Sequence, residues 1–212
     1  MNENQPETAT ATSPAEYPKE LERDASLKDG TVIHLRPIRP DDAPGLVALF
    51  DRLSQQTAYQ RFFSVLKRLP PAYARVFANV NYRQRLAIVA ERETPAGSEL
   101  IGVGRYEPAD ASGIVPTDVP TDVPTDVPTI APTIAPTIAE VAFVVQDGWQ
   151  GRGLGSILLD EVLRAGVARG VQHFRAFVLA DNYRMLGLLA RHTEITGRKL
   201  EEGVVSVEFR PR

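Results

Sequence analysis

The 212-residue chain contains no cysteine, which excludes a disulfide framework, a thiolate nucleophile and any cysteine-ligated metal centre. No stretch approaches the roughly 18 consecutive apolar residues that a membrane-spanning helix needs. The first 29 residues lack the basic start and apolar centre of a secretory leader, and they are too acidic for an organelle transit peptide. A cytoplasmic location away from membranes is therefore expected. Net charge is only −3, so the chain lacks the basic excess that marks a nucleic-acid binder. Histidine is scarce: His34, His173 and His192 fall in separate elements without paired-ligand spacing, and no metal site is expected.

Against these absences stands a soluble globular composition, with 43% hydrophobic residues and a mean hydropathy of −0.18. Two segments depart from it. Residues 1–29 carry seven acids against three bases and few large apolar side chains, too few to offset the entropy of ordering, so a disordered acidic arm is expected there. The second is a period-four repeat with proline at 116, 120, 124, 128, 132 and 136. Proline at that spacing removes amide donors and biases each preceding residue to extended backbone, which excludes helix and central strand. Residues 108–138 are expected to be a low-complexity insertion in one domain spanning 30–212. The rest of the domain sums to net +5, compatible with an anionic ligand.

Periodicity then supplies the elements. Thr31–Arg36 reads as a strand, followed by a helix opening near Asp41 or Asp42 with Leu46, Leu49, Phe50 and Leu53 inward. Two more helices are predicted. Tyr59, Phe62, Phe63 and Leu66 form the expected core face of the first, and Tyr73, Val76, Phe77 and Val80 that of the second, which starts at Pro71. Leu86–Ala90 and Leu100–Tyr106 read as a hairpin across Thr94–Gly97. After the repeat come strand Val141–Val145, helix Leu154–Arg169, strand Phe174–Leu179, helix Asn182–Arg191 and a hairpin turning at Glu201–Gly203. Met185, Leu186 and Leu189 are expected on the buried face of the last helix, and Asp160 and Arg164 as an i,i+4 surface pair. The fold class is mixed α/β, with strand-helix-strand in its second half.

The most informative stretch is Phe143-Val144-Val145-Gln146-Asp147-Gly148-Trp149-Gln150-Gly151-Arg152-Gly153-Leu154-Gly155-Ser156, an apolar strand entering a glycine-rich turn that opens a helix. Amides at a helix N-terminus point the same way at the positive end of the dipole, so they bind phosphate without lysine. Glycines at 151, 153 and 155 do not follow G-x-G-x-x-G, and there is no Gly-Lys-Ser/Thr for a P-loop. Trp149 reads as a packing residue. Ser156 has no hydrolase-type histidine partner and reads as a first-turn phosphate contact.

Gln150-Gly151-Arg152-Gly153-Leu154-Gly155 resembles the acetyl-CoA-binding motif Q/R-x-x-G-x-G/A of the GNAT acetyltransferase superfamily, a resemblance that covers residues 31–209. Leu35-Arg36-Pro37-Ile38-Arg39-Pro40-Asp41-Asp42, the stretch from Leu53-Ser54 to Phe63, and Ala139-Glu140 are similar to the catalytic domain of bacterial protein lysine acetyltransferases. The resemblance implies a mostly antiparallel sheet with splayed central strands flanked by helices. It implies that the pantetheine arm of acetyl-CoA bonds to backbone of Ala142, Phe143, Val144 and Val145. The pyrophosphate would rest on the turn of Gln150, Gly151, Arg152, Gly153, Leu154, Gly155 and Ser156, with Asn182 a further pantetheine contact.

What remains is to deprotonate the acceptor, because an amine of pKa near 10.4 is ammonium at neutral pH and cannot attack. The resemblance places a glutamate base at Glu140. The family's frequent tyrosine acid would align near Leu188, so this chain departs from the pattern there. The expected function is acetyl transfer from acetyl-CoA to a primary amine, a protein lysine foremost. A small-molecule amine acceptor and a catalytically silent acyl-CoA sensor are the alternatives. Nothing in the sequence specifies an oligomeric state.

Overall fold

The computed structural model describes residues 16–95, 97–109 and 138–212. Eight strands form one sheet: β1 (Arg23–Ser26), β2 (Val32–Pro37), β3 (Leu86–Thr94), β4 (Gly97–Pro108), β5 (Ile138–Val145), β6 (His173–Leu179), β7 (Thr193–Glu201) and β8 (Val204–Pro211). Their order is β1-β2-β3-β4-β5-β6-β8-β7, every neighbour pair antiparallel except β5 and β6. Helices α1 (Ala43–Asp51), α2 (Gln55–Phe62) and α3 (Pro71–Ala78) cover one face, while α4 (Leu154–Ala168) crosses the other on its way from β5 to β6. The last helix, α5 (Tyr183–His192), follows β6.

Strand alternation sorts β5 between the two cores. Ala139, Val141 and Phe143 pack on the α4 side and Val144 on the α1–α3 side. Glu140 and Ala142 therefore share the face of α1–α3. In β4, Gly104 is required by close packing: a Cβ there would stand 2.7 Å from the Phe143 ring and 3.1 Å from Val162 of α4.

The arm expected over residues 1–29 gives way to structure from residue 16. Tyr17 packs edge-on against Tyr82 at 5.6 Å, and β1 pairs with β2 from Arg23 to Ser26. Average composition hid this because a few residues, Tyr17, Leu21, Ala25 and Leu27, supply all the apolar contact. Residues 1–15 and residues 110–137 of the insertion lie outside the described residues. With β1 present, the strand read as fourth is β5.

Three local expectations fail. Of the face Tyr73, Val76, Phe77 and Val80, Val80 lies beyond the end of α3, which fully buries Ala74 and Ala78 instead. The face Tyr59, Phe62, Phe63 and Leu66 does not exist as one helix: α2 stops at Phe62, and Phe63 turns left-handed at φ 53°. Thr57, Ala58 and Phe62 are buried instead, while Tyr59 is 43% exposed. Nor do Asp160 and Arg164 pair with each other. Asp160 meets His192 at 3.2 Å, and Arg164 joins Arg23 on Glu161, whose carboxylate is buried and draws both cations.

The segment Leu35–Asp42 has a structural task. Arg36, 8% exposed, makes a bidentate pair with Asp42 at 2.7 and 2.8 Å and reaches Glu91 at 2.9 Å. This joins β2, the entry to α1 and β3 through one charge-assisted fork. Burial works against the buried charge, but the Asp42 hydrogen bonds outweigh it and hold the guanidinium above its ordinary pKa.

Candidate active site

β5 and β6 are in register only at Ile138↔His173, Ala139↔Phe174 and Glu140↔Arg175. Beyond Glu140 they part, and residues 141–145 of β5 pair only with β4. The gap opens into a cleft of about 620 Å³ walled by β5, β6, α2, α5 and the turn into α4. Of the residues expected at a cofactor site, Ala142, Phe143, Val144, Val145, Gln150, Gly151, Gly153, Gly155, Ser156 and Asn182 line it, as does Glu140.

The turn works through its backbone. Gly153 caps α4 with φ 96° and ψ −7°, a left-handed conformation that glycine adopts without penalty. A Cβ at Gly153 would also meet Lys28 Cγ at 3.3 Å. The first-turn amides of Leu154, Gly155 and Ser156 have no acceptor within the helix and stand at its positive end.

The side chains of this turn are otherwise engaged. Gln150 Nε2 donates to Val145 O at 3.0 Å and Thr57 Oγ1 at 3.2 Å, and its Oε1 accepts from Arg184 at 3.2 Å. Arg152 lies 4.9 Å over the Trp149 ring and pairs with Asp29 at 3.2 Å. Leu154 is 1% exposed in the core. Arg152 and Leu154, expected at the cofactor site, thus do not line the cleft, and Val145 O is already taken. Asn182 caps α5, its Oδ1 accepting from Met185 N at 3.1 Å, which leaves its amide nitrogen for other partners.

Asp147 is the clamp that sequence reasoning passed over. Its carboxylate accepts from Ser54 N at 2.9 Å, Ser54 Oγ at 2.7 Å and Thr57 Oγ1 at 2.8 Å. The N-terminus of α2 is thereby fastened to the turn. Burial pushes the Asp147 carboxyl up, and the hydrogen bonds from Ser54 and Thr57 outweigh it, so its pKa lies below the ordinary range. Ser54, a favoured N-cap residue ahead of α2, was the available signal. Lys28, Gln60, Arg61 and Phe63 also line the cleft; nothing in their local spacing marks them.

At the other end, Glu140 is half-buried where the strands part, with Arg175 at 4.0 Å and Glu107 its register neighbour on β4. Leu188 lines the cleft where a tyrosine was sought. Tyr183 is 78% exposed. Among the described residues, no group of three or more His, Asp or Glu converges as a metal site, and no helix is long and apolar enough to cross a membrane.

A strand gap ending on bare helix-terminal amides fits an extended cofactor carrying phosphate. Residues 54–193 match the model of the acetyltransferase (GNAT) family, and the chain belongs to that family. It is an acetyl-CoA-dependent N-acetyltransferase. The GNAT domain of S. lividans PAT is similar in structure, with a TM-score of 0.72 and 34% identity covering 92% of this chain and 99% of that one. Acetyltransferase Pat of Mycolicibacterium smegmatis is 29% identical over 86% of this chain, which spans 46% of that protein's length. An acetyltransferase of Pseudomonas aeruginosa is 24% identical over 77% of this chain and 75% of its own.

Proposed function

We propose that the chain acetylates a protein lysine by direct attack in a ternary complex, with Glu140 as general base. Glu140 carries the proposal: it is the carboxylate at the point where β5 and β6 separate, on the wall of the cleft. The resemblance to bacterial protein lysine acetyltransferases, together with likeness to the two Pat proteins, supports lysine as the acceptor.

Acetyl-CoA, when bound, supplies the activated acetyl group. The open edge of β5 at Ala142, Phe143 and Val144 would pair with the pantetheine amides as an added strand does. The amides of Gly151 to Ser156 would hold the pyrophosphate, and the Asn182 carboxamide would bond the arm. Glu140 would take the proton that an acceptor ammonium must lose before its nitrogen can attack; as the amide bond forms the acetyl C–S bond would break, and the thiolate would leave with the second proton shed by the nitrogen.

Glu140→Gln keeps shape and removes the base. Acetyl-CoA affinity by calorimetry should persist while turnover on a lysine peptide falls about 100-fold. The loss should shrink as pH rises toward the acceptor pKa of about 10.4, where free amine no longer needs a base. Equal turnover of mutant and wild type from about pH 6 to 9 removes Glu140 from this role.

A further inference from the structure

On the α1–α3 face, the Glu140 end of the cleft gathers more positive charge than its own carboxylates absorb. Arg105 and Arg85 both turn to Glu107, the first in a short ion pair and the second at 4.0 Å. Arg175 stands 4.0 Å from Glu140 and donates to Ala109 O at 2.9 Å. Arg61 projects from the last turn of α2 into the same cleft. Its guanidinium rests 4.9 Å over the Phe62 ring and has no hydrogen bond or ion pair with any described residue. Buried Nε atoms of Arg105 and Arg175 are likewise without an acceptor. Three arginines thus share two glutamates, and Arg61 adds a fourth positive charge beside them.

Arg61 is held in place rather than adrift. It also lines a smaller apolar recess with Phe50, Phe62, Phe77 and Val144, so the side chain is packed where recess and cleft meet. Burial, and then the like charge of Arg105, push its pKa down to about 10 against the attraction of Glu107 and Glu140; the cation persists at neutral pH. A half-buried, unpaired guanidinium with a fixed fork is suited to a carboxylate, which it binds through two parallel hydrogen bonds.

We propose that Arg61, backed by Arg105 and Arg175, forms a carboxylate subsite beside Glu140, so that the enzyme prefers an acceptor whose reacting amine lies next to a carboxylate. The proposal rests on the reading of Glu140 as the place where the acceptor amine arrives. In a protein acceptor the carboxylate is an acidic side chain flanking the lysine. In a free amino acid it is the α-carboxylate.

The test compares lysine peptides flanked by Asp or by Ala, and free lysine with lysinamide, as acceptors of wild type, Arg61→Met and Arg61→Lys. Wild type should show a KM about tenfold or more lower for the carboxylate-bearing member of one pair. Arg61→Met should erase that gap, and Arg61→Lys should keep part of it. A gap in the peptide pair assigns the carboxylate to a protein acceptor, and a gap in the lysine pair assigns it to an amino acid. Retained acetyl-CoA affinity in the variants reports that they fold. Anisotropy of the labelled peptides on CoA-loaded protein reads the same preference without turnover, so failure of the base assignment leaves this result standing. No carboxylate preference in wild type, or an undiminished preference in folded Arg61→Met, overturns the subsite.

Discussion

At the α4 end of the cleft the wall is backbone: a left-handed glycine at 153 and the bare amides of a first helical turn, with Gln150, Arg152 and Asn182 using their side chains to brace neighbours. At the Glu140 end the wall is side chain, with charges contributed by α2, β4, β5 and β6. The first end is written in consecutive residues and accepts one geometry. The second is assembled from positions distant in sequence.

The sharpest way to break this comparison is at Gly153. Gly153→Val forces a branched residue to φ near 96° and sets it against Lys28. Acetyl-CoA affinity should fall at least 100-fold by calorimetry while the circular dichroism of the sheet persists. Unchanged affinity would mean that the phosphate end is not backbone-built. A smaller effect is expected at the clamp between the two ends. Asp147→Ala leaves Ser54 N and two hydroxyls without their acceptor and should cost about 1 kcal/mol in urea denaturation, the exposed rim of the carboxylate limiting the loss.

The pH dependence of that clamp has a definite sign. Because the folded pKa of Asp147 is lowered, its contribution is complete above the unfolded value of about 3.9 and is lost as pH falls through the folded one. Wild type should therefore lose stability relative to Asp147→Asn on acidification below about pH 4, and parallel curves would show that the carboxylate is not the clamp. The smallest effect belongs to Arg152→Ala. Its side chain pairs with Asp29 and stacks on Trp149, away from the cleft, so acetyl-CoA affinity should change less than about threefold and stability by about 0.5 kcal/mol or less. A tenfold loss of affinity would return this arginine to the ligand and blur the contrast.

The same division explains what could be read from the chain alone. Gln150 to Ser156 announced itself because turn, helix start and glycine spacing are local. The strand Val141–Val145 and the hairpin at Thr94–Gly97 were legible for the same reason, each pattern lying within one element. Arg61 and Lys28 were not, since only the fold carries them to the cleft. Phe63 misled because it adopts a left-handed conformation without a glycine to mark it, so the apolar spacing ran on past the true end of α2. Tyr17 and β1 were hidden in a polar stretch whose average outweighed its few packing residues.

The seam between β5 and β6 also makes the protein's durability conditional. Three register pairs join them, against seven between β4 and β5 and six between β6 and β8, so the sheet is two leaves stitched at one margin. A bound acetyl-CoA arm would add rungs where the stitching stops. A ligand present at 100 times its Kd adds about 2.7 kcal/mol to the folded state by mass action. The unloaded protein would then part first along this margin, and its lifetime against proteases would rise and fall with the acetyl-CoA supply of the cell.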